Sequence, residues 1–171
     1  MGAHDHREHA EKESSARCAI LTVTDTKTRE TDTSGRRAFE ILQKFGHTVV
    51  LHEIVPNERK KIVDAAERAL KEADVLLTIG GTGASRRDAT VEAVRPLLEK
   101  ELPGFGELFR SLSAREIGTA AILSRALLGV TSAGKVVVAL PGSEAAVRLA
   151  LEEILVNELK HLLWELRRYP A

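Results

Sequence analysis

The sequence predicts a single α/β domain, three layers deep (α/β/α), built on a mostly parallel sheet with one antiparallel edge strand. Three observations predict it. Short apolar, β-branched runs recur along the chain. Amphipathic helical patterns separate the first three runs, and a short turn alone divides the last two. Strand–helix–strand alternation calls for parallel neighbours joined by right-handed crossovers. A length of 171 residues suits one domain with its own core.

Each element follows from local chemistry. Residues 1–16 are polar and carry His4, His6 and His9 among charged neighbours. Such a segment cannot bury enough surface to offset its ordering entropy, so a disordered tail is expected. The three histidines can bind a metal, but their spacing fits no recognised motif and a solvated tail is the plainer reading. The folded domain is expected over 17–168. CAILTVTD (18–25) is apolar and β-branched, hence a buried strand. Ala38, Ile41, Leu42 and Phe45 recur at helical spacing and stop at Gly46, a helix terminator. HTVVLHEIV (47–55) reads as a second strand, ended by Pro56. Ile62, Val63, Ala66, Ala69, Leu70 and Ala73 mark a second helix, and DVLLTIG (74–80) a third strand.

The second half is less regular. Pro96 interrupts a helical pattern over 91–100 and predicts a kink or an early end. LPGFGELFRSLS (102–113) opens on turn residues and continues as helix. ALLGVTSAGKVVVAL (126–140) holds two apolar runs around 131–134, a hairpin signal that supplies the antiparallel strand. Beyond PGS (141–143), Val147, Leu151, Ile154, Leu155, Leu159, Leu162, Leu163 and Leu166 fall on one broad face of a long helix.

Composition narrows the partners. Lys plus Arg and Asp plus Glu both number 25, which removes the electrostatic case for nucleic acid or an anionic membrane. Cys18 is the single cysteine, so no internal disulfide forms, and it reads as a small core residue opening a strand. No apolar run approaches the roughly 20 residues that span a bilayer. The N-terminus is charged rather than apolar, and a cytoplasmic protein is expected.

In open α/β sheets, ligands bind beyond the carboxyl ends of the strands, near a switch in strand order. Three unusual segments fall at such ends: Thr24-Asp25-Thr26, GGTG (80–83) and LPGS (140–143). One rim therefore gathers them. Glycine permits positive φ and close approach, so the amides of Gly80, Gly81, Thr82 and Gly83 can nest an anion; a plain strand-to-helix turn is the alternative. The loop is no Walker A, and Arg86 stands where a dinucleotide fingerprint needs its third glycine. Arg86 and Arg87 supply forked donors for phosphate or carboxylate. Asp88 can hold Mg²⁺, accept a proton or cap the next helix, and Thr90 can cap it as well. Ser143 suits the N-cap of the last helix, a position where phosphates also bind. Asp25 is placed to meet a ligand hydroxyl, amine or metal. Ser124 and Arg125 interrupt an apolar stretch, and a buried Arg125 needs Asp88, Glu107 or an anionic ligand as partner. No metal constellation arises from His47, His52 and His161, and no Ser-His-Asp triad can be argued. The residues together suit a phosphate-bearing small molecule and phosphoryl or nucleotidyl transfer, in which positioning and charge stabilisation do most of the catalysis.

With TVTD, DTSG, GGTG, RRDAT, PGFGELFR, IGTAAILSRA and LPGS in this order, the chain resembles molybdenum cofactor biosynthesis proteins of the MoaB/MogA type and the related gephyrin and plant G domains. The resemblance covers about residues 17–166, and the segments at 105–110 and 116–119 look closer to the B type. It implies a homotrimer or homohexamer that binds molybdopterin, a pterin with a dithiolene and a terminal phosphate. In the catalytic branch that phosphate attacks the α-phosphorus of Mg-ATP, giving adenylylated molybdopterin and pyrophosphate. Carried onto this chain, the glycine loop is 80–83 and the key carboxylate, with Mg²⁺ as its metal, is Asp88. Thr90, Ser124, Arg125, Pro141, Gly142 and Ser143 would line the pterin-phosphate side, with Arg87 nearby. Asp25, as a second catalytic carboxylate, and the loop holding Asp32, Ser34 and Gly35 would border the same pocket. One position departs from the catalytic branch: Asn57 follows Pro56, where that branch carries Asp. Asn57 can cap a helix starting at Glu58 but brings no charge to Mg²⁺. A carrier that binds the pterin without nucleotidyl transfer is the alternative.

Overall fold

The computed structural model describes residues 15–168, so the expected tail lies, for residues 1–14, outside the described residues. Six strands form one sheet in the order β2-β1-β3-β6-β5-β4. They are β1 (Arg17–Val23), β2 (Thr48–Val55), β3 (Val75–Ile79), β4 (Lys100–Glu101), β5 (Leu127–Val130) and β6 (Val136–Leu140). β1 pairs in parallel with both β2 and β3, and β3 with β6. β5 runs antiparallel to β6, as the hairpin signal predicts. A two-residue β4, which no sequence pattern announces, extends that edge beyond β5.

Helices cover both faces. On one side pack α1 (Thr33–Lys44), α4 (Pro103–Ile117), α5 (Glu144–Arg148) and α6 (Val156–Arg168); on the other lie α2 (Arg59–Glu72) and α3 (Thr90–Val94). The alternation of β-strand side chains explains the two cores. Cys18 and Ile20 face the first, while Ala19 and Leu21 face the second. Cys18 is the small core residue expected, and burial, then the charge of Asp74, pushes its thiol up to about 12. Each fully buried Leu or Ile stabilises the fold by roughly 1.5–3 kcal/mol.

Three local outcomes refine the expectations. Ala16, assigned to the tail by composition, is fully buried; its amide donates to His47 Nδ1 at 3.2 Å and its carbonyl accepts Thr48 N at 2.9 Å. The folded domain therefore takes in Ala16. The helix expected over 91–100 stops at Val94 and tightens into a 3₁₀ turn, Arg95–Leu97, that contains Pro96. Ring sterics and the missing N–H give the early end. The long C-terminal helix is broken by a π-helical stretch, Leu149–Leu155, between α5 and α6. Val147, Leu151, Leu155, Leu159 and Leu163 are buried at a spacing of four. An α-helix with 3.6 residues per turn drifts about 40° for each such step. The wider π turns slow that drift and keep the row on the core.

Candidate functional site

β1 lies between β2 and β3: the β1–β2 connection packs on one face of the sheet and the β2–β3 connection on the other, so the carboxyl ends of β1 and β3 flank the switch point. A cleft of about 460 Å³ opens there. Its lining includes Thr22, Thr24 and Lys27 from the first strand and its loop, and Ser34 from the start of α1. The glycine loop and Asp88 line it from β3, and Pro141, Gly142 and Ser143 from β6. Ser113, Glu116 and Ser124 complete its polar wall. The three rim segments that the sequence singles out do converge.

The glycine loop is organised by its carbonyls. Gly80 O accepts Thr90 Oγ1 at 2.7 Å and Gly81 O accepts Thr90 N at 3.0 Å. Thr82 O accepts Arg125 N at 3.2 Å and Gly83 O accepts Arg125 Nε at 2.9 Å. All four carbonyls are thus engaged by protein. Gly80 N belongs to the sheet, donating to Leu140 O at 2.8 Å. The amides of Gly81, Thr82 and Gly83 have no acceptor among the described residues. The path needs glycine: Gly80 has φ +101° and Gly81 φ +67°. Among the described residues, the loop is therefore not closed on itself by its own amides.

Asp88 and Thr90 do not cap α3, whose N-cap Ala89 has no side-chain bond. Asp88 lines the cleft, with Oδ2 accepting Ser85 N at 2.9 Å. Its carboxylate lies against Gly83, where an added Cβ would sit 2.8 Å from Oδ2. Thr90 is buried behind the loop and holds Gly80 and Gly81 in place. Ser143 caps α5, accepting Ala146 N at 3.2 Å while also lining the cleft.

Other expected residues stand back. Arg87 is exposed outside the lining, its amide donating to Ser85 Oγ at 3.2 Å. Arg125 pairs with Glu92, a partner the sequence reading did not name, and Glu92 is held below the usual carboxylate range chiefly by that bond. Arg125 braces the glycine loop from behind. Asp25 is not in the lining either; its Oδ1 accepts Asn57 N at 2.8 Å. Asn57 makes no cap for α2, which begins without a side-chain cap bond. Its Oδ1 accepts Ala89 N at 3.2 Å instead. Gly35 is buried at the start of α1, and a Cβ there would lie 2.1 Å from Asp32 Oδ2.

Lys27 escaped the sequence reading, and Asp32, expected only as part of a bordering loop, has a larger part than that. Lys27 enters the cleft, donating to Ser34 Oγ at 3.0 Å and to Gly142 O at 3.3 Å. Asp32, 1% exposed, anchors the same corner. It accepts Thr22 Oγ1 at 2.7 Å, Gly35 N at 2.9 Å, Ser34 Oγ at 3.3 Å and His52 Nε2 at 3.1 Å. Burial works against its charge, but the bonds from Thr22, Gly35 and His52 outweigh that and hold its carboxyl below the ordinary value. The signal was available: an acid three residues before a glycine at a helix start is a capping pattern, and Asp32 is that cap.

Among the described residues, no group of three or more His, Cys, Asp or Glu is arranged to hold a metal. Mg²⁺ asks less of a protein, since one or two carboxylates and substrate phosphates suffice, and Asp88 fits that role. No helix among the described residues is long and apolar enough to cross a membrane.

Comparison with known proteins gives a consistent result. A family model described as "Probable molybdopterin binding domain" matches residues 19–161. The molybdenum cofactor biosynthesis protein B of Bacillus anthracis is 48% identical, over 98% of this chain and 99% of that protein. A crystal structure of a molybdenum cofactor biosynthesis protein B superposes with TM-score 0.87 at 46% identity, covering 91% of this chain and 98% of that one. The tungsten cofactor synthesizing protein MoaB from Pyrococcus furiosus superposes with TM-score 0.83 at 38% identity, over 91% and 99% of the two chains.

Proposed function

Because this chain belongs to the molybdopterin-binding domain family, alongside the molybdenum cofactor biosynthesis proteins B, we propose that its rim cleft binds molybdopterin and presents it to Mg-ATP for adenylylation. A role in molybdenum cofactor biosynthesis follows from the relatives at 42–48% identity; the ligand and the reaction are our reading of the site. One observation carries it. Every carbonyl of the 80–83 loop is engaged by protein while three successive amides stay open in the cleft lining. Such a nest takes an anionic oxygen, and phosphates are its commonest occupants.

The residues divide the chemistry. The amides of Gly81, Thr82 and Gly83 neutralise phosphate oxygens without reorganising, since Thr90 and Arg125 fix the loop. Asp88, with phosphate oxygens, would hold Mg²⁺, which offsets the charge accumulating on the transferring phosphoryl group. A pterin-phosphate oxygen then bonds to the α-phosphorus of ATP. The α–β anhydride bond breaks, and pyrophosphate leaves. Positioning and charge stabilisation suffice for this displacement.

Asn57 favours a second reading, a carrier that binds the pterin without the transfer. The loop after β2 carries no carboxylate at the position facing Ala89, and Asp25 is engaged with the Asn57 amide. Incubation with molybdopterin and Mg-ATP separates the two. Pyrophosphate and adenylylated pterin support the enzyme; unchanged pterin affinity without turnover leaves the carrier. Assembly as a homotrimer or homohexamer remains part of the proposal. Ile117, Ile122 and Leu123, at 56%, 78% and 61% exposure, give a subunit contact its apolar surface, and light scattering on the purified chain tests it.

A further inference from the structure

An anionic ligand needs a countercharge, and the two arginines expected to give one are elsewhere. Arg87 is outside the lining, and Arg125 is committed to Glu92 and to the back of the glycine loop. Among the described residues that line the cleft, Lys27 is the only Lys or Arg. Its ammonium is half-buried and bonded only to neutral oxygens, Ser34 Oγ and Gly142 O. No carboxylate among the described residues lies within ion-pair distance of it. A cation held in a cleft with no protein counterion awaits one from the ligand.

The surrounding bonds aim it. Thr24 Oγ1 accepts the amides of Thr26 and Lys27, at 3.2 and 3.3 Å, and so fixes the loop that carries the side chain. Ser34 is fully buried, and its hydroxyl donates to Asp32 Oδ1 at 3.3 Å. That hydroxyl has one proton, and Asp32 takes it, so Ser34 can offer Lys27 only a lone pair. Ser34 is therefore the post that positions Lys27 rather than a donor to the ligand. Gly142 O is the weaker attachment, at 3.3 Å, and it belongs to the LPGS turn that lines the cleft.

We infer that Lys27 is the phosphate-recognising cation of the cleft: it exchanges its bond to Gly142 O for one to a phosphate oxygen while keeping Ser34. This rests on the reading of the cleft as a molybdopterin site. It makes Lys27 a specificity residue that separates the phosphorylated pterin from the same pterin without its phosphate.

The test is calorimetric titration of the full chain with molybdopterin and with its dephosphorylated form, for the native protein, Lys27→Met and Lys27→Arg. The native chain is expected to prefer the phosphorylated form by about tenfold to a hundredfold, the scale of one charge-assisted hydrogen bond. Lys27→Met loses most of that preference with its affinity for the dephosphorylated form little changed, and Lys27→Arg retains part of it. A matching melting temperature without ligand establishes that Lys27→Met is folded. Full preference in Lys27→Met overturns the inference and leaves the pterin site standing. Titration with inorganic pyrophosphate separates the remaining cases. If the native chain binds neither pterin but binds pyrophosphate in a Lys27-dependent way, the pterin reading falls and the anion site stands. Pyrophosphate binding indifferent to Lys27, with no pterin bound, overturns both.

Discussion

Asn57 Oδ1 accepts the amide of Ala89 at 3.2 Å, which stitches the turn after β2 to the loop carrying Asp88. Asp in place of Asn keeps an acceptor at that atom and adds a charge beside the proposed Mg²⁺ position. Asn57→Asp should change unfolding free energy by less than about 0.5 kcal/mol and raise pyrophosphate release from Mg-ATP by about tenfold or more. Asn57→Ala leaves the Ala89 amide without its partner and should cost about 1 kcal/mol in urea unfolding.

Asp88 has two duties that a single substitution separates. Asn at this position still accepts the Ser85 amide, so the loop keeps its shape, but the negative charge is gone. Asp88→Asn should lower adenylyl transfer by about a hundredfold or more. Pterin affinity, read in parallel by titration, should change far less.

Glycines of the same φ sign differ in what surrounds them. Gly46 has φ +82° and nothing within 4 Å of a built Cβ, so Gly46→Ala carries only the left-handed backbone cost of about 1–2 kcal/mol. Gly80 has φ +101°, and its Cβ would meet Val23 O at 2.4 Å. Gly80→Ala should lower stability by clearly more than Gly46→Ala, a ranking that chemical denaturation of the two variants reads directly.

His47 supplies a pH dependence. Burial, then the charge of Lys160, holds its imidazole below the ordinary 6.5, and Nδ1 accepts the Ala16 amide. The unfolded chain therefore takes up this proton first. Stability from the neutral ring is fully present above about 6.5 and declines as pH falls through that value, by at most about 1.4 kcal/mol per pH unit. His47→Gln should flatten the melting profile between about pH 7.5 and 5.5. Asp32 acts in a lower window: its depressed carboxyl contributes stability above about 3.9 that is lost in stronger acid.

Much of this was legible because the signals were local. Apolar runs and helical spacing mark the central strands and the two crossover helices, and the carboxyl-end rule gathers the rim segments on one side of the sheet. The misreadings have a common physical source. Whether Arg125 faces ligand or Glu92, and whether Asn57 caps α2 or holds Ala89, depends on contacts 33 and 32 residues apart in sequence. Lys27 belongs to no motif in the sequence and gives no local signal. Its placement follows from Gly142, 115 residues away. The π stretch was hidden because leucines four apart also fit a helical pattern.

Two lining glycines touch one another: a Cβ on Gly142 would come within 3.3 Å of the α-carbon of Gly80. A methyl at Gly142 would push the Gly80 backbone aside by a few tenths of an ångström, and one at Gly80 would strike Val23 O, so each change would reach the cleft by shifting a neighbouring element rather than by filling the space.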